Sequence, residues 1–76
     1  MRFSEWKKKT MFKLIKLASS ASNEKERSDL SALINTLHTL RYRDLPSFLR
    51  LLWAYCEYHK KYEVCSELVP EDIESD

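Results

Sequence analysis

The chain has 76 residues and none of them is glycine. Loops that cradle phosphate groups need glycine, because the ligand must approach the backbone closely. The absence therefore excludes a P-loop and a glycine-rich dinucleotide-binding fingerprint. Tight hairpin turns also lose their preferred residue, which leaves Asn23 and Asn35 as the residues best suited to left-handed backbone. Both effects favour helices over sheet.

Cysteines and long apolar runs are also scarce. Two cysteines, Cys56 and Cys65, cannot build a disulfide framework, and they favour a reducing compartment. The longest apolar run, Leu51–Cys56, is far short of the roughly 18–20 residues of a membrane-spanning helix. Lys13 and Lys16 interrupt the apolar part of the N-terminal segment, which argues against a secretory signal. We expect one small, soluble, cytoplasmic domain.

Charge is sorted along the chain although the net charge is only +1. Residues 1–16 hold six basic groups and one acid, whereas residues 66–76 hold five acids and no base. The acidic segment contains Pro70, and we expect it to form an extended or disordered tail. It could mimic a polyanion that blocks a basic groove on a partner, or it could fold back onto the first helix.

Hydrophobic periodicity predicts three helices within a domain over residues 1–65. Their predicted bounds are residues 5–18, 24–41 and 45–63. Ser4 and Asp44 are expected as N-caps of the first and third helices, and Pro46 is tolerated in a first turn. Asn23 with Glu26 three residues later resembles a capping box for the second helix.

Apolar side chains predict how these helices pack. The second helix has the clearest stripe, formed by Leu30, Leu33, Ile34, Leu37 and Leu40. The first helix has lysines opposite its apolar side, with Phe12 placed among them. The third helix is apolar around most of its circumference, which requires cover on two sides. The sequence therefore predicts an all-α fold, a small three-helix bundle completed by self-association as a homodimer.

Metal binding and catalysis have weak support. Cys56 and His59 could join Cys65 and His38 around zinc, but their spacing matches no common zinc pattern. Cys56, His59 and Glu63 lie on one predicted helix, and no glycine-containing elbow supplies an oxyanion hole. A Cys56–Cys65 disulfide would also need a break in that helix, because nine helical residues span about 13 Å. We expect no enzyme activity, metal or cofactor.

Nucleic-acid binding is the main alternative function. Basic and aromatic side chains that could contact phosphates and bases are Lys7, Lys8, Lys9, Phe12, Lys13, Lys16, Arg41 and Arg43. The pI of about 7.8 is below the range typical of such proteins. The lysines equally suit a solvated helix face, and the composition of the first helix also suits attachment to a membrane surface.

Protein–protein interaction is the preferred function. The third helix carries side chains of the types that dominate interface energetics, namely Arg50, Trp53, Tyr55, Tyr58 and Tyr62. A chain this short cannot bury all of them in its own core. We therefore predict a non-catalytic adaptor, inhibitor or regulatory accessory that binds another protein or complex, with an origin on a phage or other mobile element as a prior.

Overall fold

A computed structural model describes residues 1–69 and 72–76 of the chain. Four α-helices follow one another, and a short 3₁₀ turn, Tyr42–Asp44, separates the second from the third. They are α1 (Phe3–Ser20), α2 (Glu24–His38), α3 (Leu45–His59) and α4 (Tyr62–Leu68). The predicted all-α class is confirmed, but the helices number four in the described residues, not three.

Helix α1 begins earlier than predicted, and its N-terminus is satisfied from the far end of the chain. Ser4 is not the N-cap, because Arg2 occupies that position and makes no side-chain cap bond. Instead, the Ser4 backbone N–H and hydroxyl both donate to the Asp76 carboxylate. The first N–H groups of a helix have no partner within it, so Asp76 supplies what a local cap would have supplied.

Helix α2 begins as predicted and ends earlier. The Asn23 side chain accepts a hydrogen bond from the Glu26 N–H at 3.0 Å, which confirms the N-cap. The Glu26 carboxylate does not complete a capping box but accepts a bond from Tyr55. The helix ends at His38 rather than residue 41, and Leu40 then packs into the core ahead of the 3₁₀ turn.

The predicted third helix begins at Leu45 as expected, but its predicted end at residue 63 is wrong, because α3 ends at His59. Lys60 adopts left-handed backbone with φ of 57°. The Lys61 N–H donates to the Cys56 carbonyl at 2.8 Å, and the Lys60 N–H donates to Glu57 at 3.4 Å. The left-handed position at the end of a helix is usually occupied by glycine, but here it is occupied by lysine. The sequence therefore has no glycine that would mark the end of α3.

Helix α4 covers part of α3, where the sequence had predicted a partner. Trp6 and Leu68 are each 1% exposed, and the Trp6 Nε1–H donates to the Leu68 carbonyl at 2.8 Å. The Trp6 ring also meets Phe48 edge-on, with centroids 5.8 Å apart. Apolar side chains of all four helices share the core: Trp6, Leu14, Leu30, Leu33, Leu37, Phe48, Leu52, Cys56, Val64, Cys65 and Leu68.

The described part of the predicted acidic tail folds back onto α1. Residues 66–68 belong to α4, and Glu67 forms an ion pair with Lys13 at 3.1 Å. Glu74 pairs with the N-terminal segment through bonds from the Phe3 N–H at 2.8 Å and to the Met1 carbonyl at 2.9 Å. Pro70 and Glu71 of that predicted tail lie outside the described residues. The sequence left two alternatives for the tail, mimicry of a polyanion and folding back onto the first helix, and the described residues adopt the second.

Candidate protein-binding groove

An open groove of about 310 Å³ lies between α2 and α3. Both helices contribute side chains at three- and four-residue spacing, so a single face of each helix forms one wall. The groove is lined by Lys25, Asp29, Ala32, Leu33, Thr36, Leu51, Ala54, Tyr55 and Tyr58. Its lining is mainly apolar, with charged groups confined to one end.

Small and large side chains alternate along the groove. Ala32 on α2 and Ala54 on α3 leave room where longer side chains would close the space between the helices. Leu51 is 50% exposed and Tyr58 is 69% exposed, so both large side chains present apolar surface to solvent. The groove can therefore receive an apolar side chain without rearrangement of the core.

Charged groups at the Tyr58 end are held in a small network. Asp29 accepts from His59 Nε2 at 2.8 Å and from Lys25 Nζ at 3.1 Å. The bond from His59 lowers the pKa of Asp29, partial burial opposes this shift, and Lys25 adds to it. Lys25 Nζ on α2 also lies 5.6 Å from the centroid of the Tyr58 ring on α3. This cation–π contact connects the two helices at this end of the groove.

The floor of the groove is anchored by a buried polar contact. The Tyr55 hydroxyl donates to Glu26 Oε2 at 2.7 Å, and Lys61 Nζ lies 3.9 Å from the same oxygen. Burial, together with the adjacent Glu26 carboxylate, raises the pKa of Tyr55. Because Tyr55 is only 4% exposed, it supports the groove from below instead of offering a free contact surface.

The aromatic set that the sequence singled out is divided among several surfaces. Of its members, Tyr58 lines the groove, and Tyr55 forms the floor. Trp53 is 49% exposed but lies two residues from Leu51, which places it roughly 160° around α3. Arg50 is exposed outside the groove lining, and Tyr62 belongs to α4.

Other lining residues were missed by the sequence analysis, because each depends on how α2 and α3 pair. Lys25, Asp29, Ala32, Thr36, Leu51 and Ala54 all line the groove, and none of them was in the predicted set. The spacing of Ala54, three residues after Leu51 and four before Tyr58, is the one weak indication of a groove that the sequence offers.

The basic residues of the predicted nucleic-acid surface are also divided. Lys7 donates to the Leu40 carbonyl at 3.0 Å, and Lys13 pairs with Glu67. Lys8 and Lys9 are exposed on α1, and Lys16 Nζ lies 5.7 Å from the Phe12 ring centroid. Arg41 and Arg43 are exposed around the 3₁₀ turn, which meets the start of α1 where the Phe3 and Tyr42 rings lie 5.7 Å apart.

The cysteines are used for packing, and the two histidines have different surroundings. Cys56 and Cys65 are buried free thiols, because the break at Lys60 folds α4 back over α3, and the Cys65 thiol donates to the Leu52 carbonyl at 3.7 Å. Burial, aided by the Cys65 thiol, raises the pKa of Cys56 to about 12. His59 is engaged by Asp29, and His38 is exposed at the end of α2. Within residues 1–69 and 72–76, no three potential metal ligands cluster.

No helix in the described part of the chain is both long enough and apolar enough to cross a membrane. Comparison with protein-family models, with curated proteins and with solved structures yields no match.

Proposed function

We propose that this chain is a non-catalytic protein-interaction module that binds an amphipathic helix of a partner protein in the groove between α2 and α3. The observation that supports it is the exposure of Leu51 and Tyr58 along a groove with a rigid, packed floor. Such a module would act as a small adaptor, inhibitor or regulatory accessory of a larger protein or complex.

The shape of the groove favours a helix as its occupant. Grooves between two helices bind amphipathic helices through apolar anchors at three- and four-residue spacing. Leu51 and Tyr58 are separated by seven residues on α3, which corresponds to about two helical turns or 10 Å. A partner helix could place one apolar anchor beside each of them, with Lys25 and Asp29 at the polar end fixing its register.

Side chains with catalytic potential already have structural partners, which supports a binding role. His59 is held by Asp29, Glu26 is held by Tyr55, and the Cys56 thiol is buried with a raised pKa. A thiol in this state has little of the thiolate that a nucleophile needs.

Self-association is a second part of the proposal. Leu51 and Trp53 lie on different sides of α3, and each keeps about half of its surface exposed. A second copy of the chain could cover one of these sides while the groove remains available to a different partner. Light scattering at about 10–200 µM would test this part, because weak homodimers have dissociation constants of roughly this size. Protein that stays monomeric across that range would refute the homodimer.

Site-specific photocrosslinking in the native host would test the groove. A crosslinking amino acid at Thr36, an exposed residue of the groove lining, should capture one discrete partner, whereas the same group at Ser31, exposed on α2 outside the lining, should not. Capture from Thr36 should persist at high salt and should be lost in the L51K and Y58A variants. Trp53→Ala provides the matched control, since it removes an exposed aromatic residue from the other side of α3.

Two results would contradict the proposal. Equal capture from Thr36 and Ser31 would show that the groove is not the contact surface. Recovery of nucleic acid alone, with binding that falls steeply as salt rises, would favour the nucleic-acid alternative instead.

A further inference from the structure

The outward face of α1 carries Phe12, an aromatic residue that is surrounded by lysines and does not pack into the core. Phe12 is 68% exposed, whereas Thr10 and Leu14, two residues away on either side, are completely buried. Two residues correspond to roughly 200° of helical rotation, so Phe12 points almost directly away from the core.

The helical neighbours of Phe12 form a defined patch. The residues three and four positions away on α1 are Lys8, Lys9, Ile15 and Lys16, and with Phe12 they are called the Phe12 patch below. Ile15 is 49% exposed and continues the apolar centre along the helix. The patch is therefore an apolar centre with basic groups around it.

The lysines of the Phe12 patch remain available, unlike their neighbours on α1. Lys7 donates to the Leu40 carbonyl, and Lys13 pairs with Glu67. Within the part of the chain that the structure describes, Lys8, Lys9 and Lys16 form no ion pair with a carboxylate. Glu5, about one turn before Lys8 and Lys9, is the one acidic residue of α1, so the patch projects a net positive charge around an exposed hydrophobic centre.

We propose that the Phe12 patch docks α1 onto an anionic lipid surface. The Phe12 and Ile15 side chains would enter the boundary between headgroups and acyl chains, while the lysines contact anionic headgroups. The proposal rests on charge complementarity and on the apolar centre, and it is independent of the partner groove.

Three features favour a lipid surface over a nucleic acid. The side chains of Ile15 and the half-buried Met11 beside Phe12 are non-planar, which suits acyl chains better than stacked bases. Lys16 Nζ lies 5.7 Å from the centroid of the Phe12 ring, which leaves less of that ring free to stack on a base. The patch is also confined to one helix, whereas single-stranded nucleic acids are usually bound along a basic groove.

Binding should be weak, reversible and dependent on lipid charge. A basic residue near an anionic membrane contributes about fivefold in affinity, and the lysines of the patch should act together. Loss of the Phe12 ring should weaken binding by about tenfold or more, because burial of a phenylalanine side chain is a large apolar contribution. Neutral vesicles should therefore bind far less than anionic ones.

Vesicle titration of the full chain tests the proposal directly. The probes are vesicles of phosphatidylcholine alone and of phosphatidylcholine with 30% phosphatidylserine, chosen so that surface charge is the only large difference. We expect binding to the anionic vesicles, about tenfold weaker binding for F12Q, and a similar or larger loss for K9Q/K16Q. The matched controls are W53Q, at an exposed aromatic residue on α3, and K60Q, at an exposed lysine just after α3, both of which should bind like the parent chain.

A fluorescent variant reports where the side chain goes. In a Trp53→Phe background, F12W places a tryptophan at the patch while Trp6 stays buried. Anionic vesicles should shift its emission to the blue, and bromine-labelled acyl chains should quench it. Circular dichroism of each variant should match the parent chain, so that altered binding is not caused by unfolding.

Several outcomes would overturn the proposal. One is the absence of binding to anionic vesicles at millimolar lipid, and another is equal binding of F12Q and the parent chain. Equal binding to neutral vesicles would also refute it, as would an unshifted emission of the F12W probe. Tighter, Phe12-dependent binding to a fluorescent oligonucleotide than to the vesicles would assign the patch to nucleic acid.

Discussion

The hydrogen bond between Trp6 and the Leu68 carbonyl should be a major support of α4. Its donor and acceptor are both buried and lie 62 residues apart in sequence. Helix α4 has only seven residues, too few to be stable alone, so it depends on its contacts with the rest of the chain. Replacement of the Trp6 Nε1–H by a group that cannot donate a hydrogen bond should therefore show how much this contact contributes to the free energy of unfolding.

Two substitutions separate the hydrogen bond from the packing of the ring. Replacement of Trp6 by benzothienylalanine keeps the ring shape and removes only the donor, which leaves a buried carbonyl without a partner. This should cost about 1–3 kcal/mol of unfolding free energy. Trp6→Phe also removes ring volume from a fully buried site and should cost about 2–4 kcal/mol in total.

These losses are large relative to the stability of a chain of this size. At about 0.05–0.15 kcal/mol per residue, the whole chain is stable by roughly 4–11 kcal/mol. In urea unfolding followed by circular dichroism, Trp6→Phe should lower the midpoint by about 1.3–4 M, given a slope near 1–1.5 kcal/mol/M. Trp53→Phe, at an exposed tryptophan, should change stability by less than about 0.5 kcal/mol.

The result that would refute this reasoning is specific. If the benzothienylalanine variant unfolds within about 0.3 kcal/mol of the parent chain while Trp6→Phe is strongly destabilised, the ring packing matters and the hydrogen bond does not. Amide exchange of the α4 residues would then be equal in the parent chain and the benzothienylalanine variant.

Three further predictions concern individual side chains. The Thr10 hydroxyl is buried and has no hydrogen-bond partner among the residues that the structure describes. Thr10→Val should therefore leave stability unchanged or raise it by about 1 kcal/mol in urea unfolding, and a loss above about 1 kcal/mol would contradict this. Lys60→Gly should raise the thermal midpoint and increase the free energy of unfolding by about 1 kcal/mol, because left-handed backbone is unfavourable for lysine and not for glycine. Lys61→Gly is the control and should be destabilising or neutral. The lowered folded-state pKa of Asp29 means that its contribution is fully present above the unfolded value near 4 and is lost as pH falls through the folded value. Asp29→Asn should therefore reduce stability at pH 7 and flatten the acid limb of a plot of stability against pH, whereas an unchanged acid limb would show that the His59 contact is absent in solution.

The two proposed surfaces can be tested separately because they share no residue. The groove depends on α2 and α3, and the Phe12 patch depends on α1 alone. Substitution of Phe12 should leave capture by the crosslinker at Thr36 intact if the partner is not itself bound to the membrane. Loss of both functions in one variant, with the fold intact, would indicate that lipid and partner binding are coupled.

Local signals in the sequence were sufficient for part of the fold. The stripe on α2 predicted the buried faces of Leu30, Leu33 and Leu37, because a helical period of 3.6 residues determines which side chains face the core. Asn23 was recognisable as an N-cap because its bond to the Glu26 N–H spans only three residues. Absence of glycine and the apolar periodicity together indicated the all-α class.

What only the tertiary structure decided involves residues far apart in the chain or a choice between competing local conformations. The break at Lys60 was not predictable from residue type, since lysine normally continues a helix, and it is the packing of Val64, Cys65 and Leu68 against α1 and α3 that favours it. The cap of α1 comes from Asp76, more than 70 residues away, so no local pattern could announce it. The sequence by itself determined which faces are apolar and that helices form; the pairing of α2 with α3, and so the groove and the burial of Tyr55, depended on three-dimensional packing, because a groove exists only where two helix faces meet.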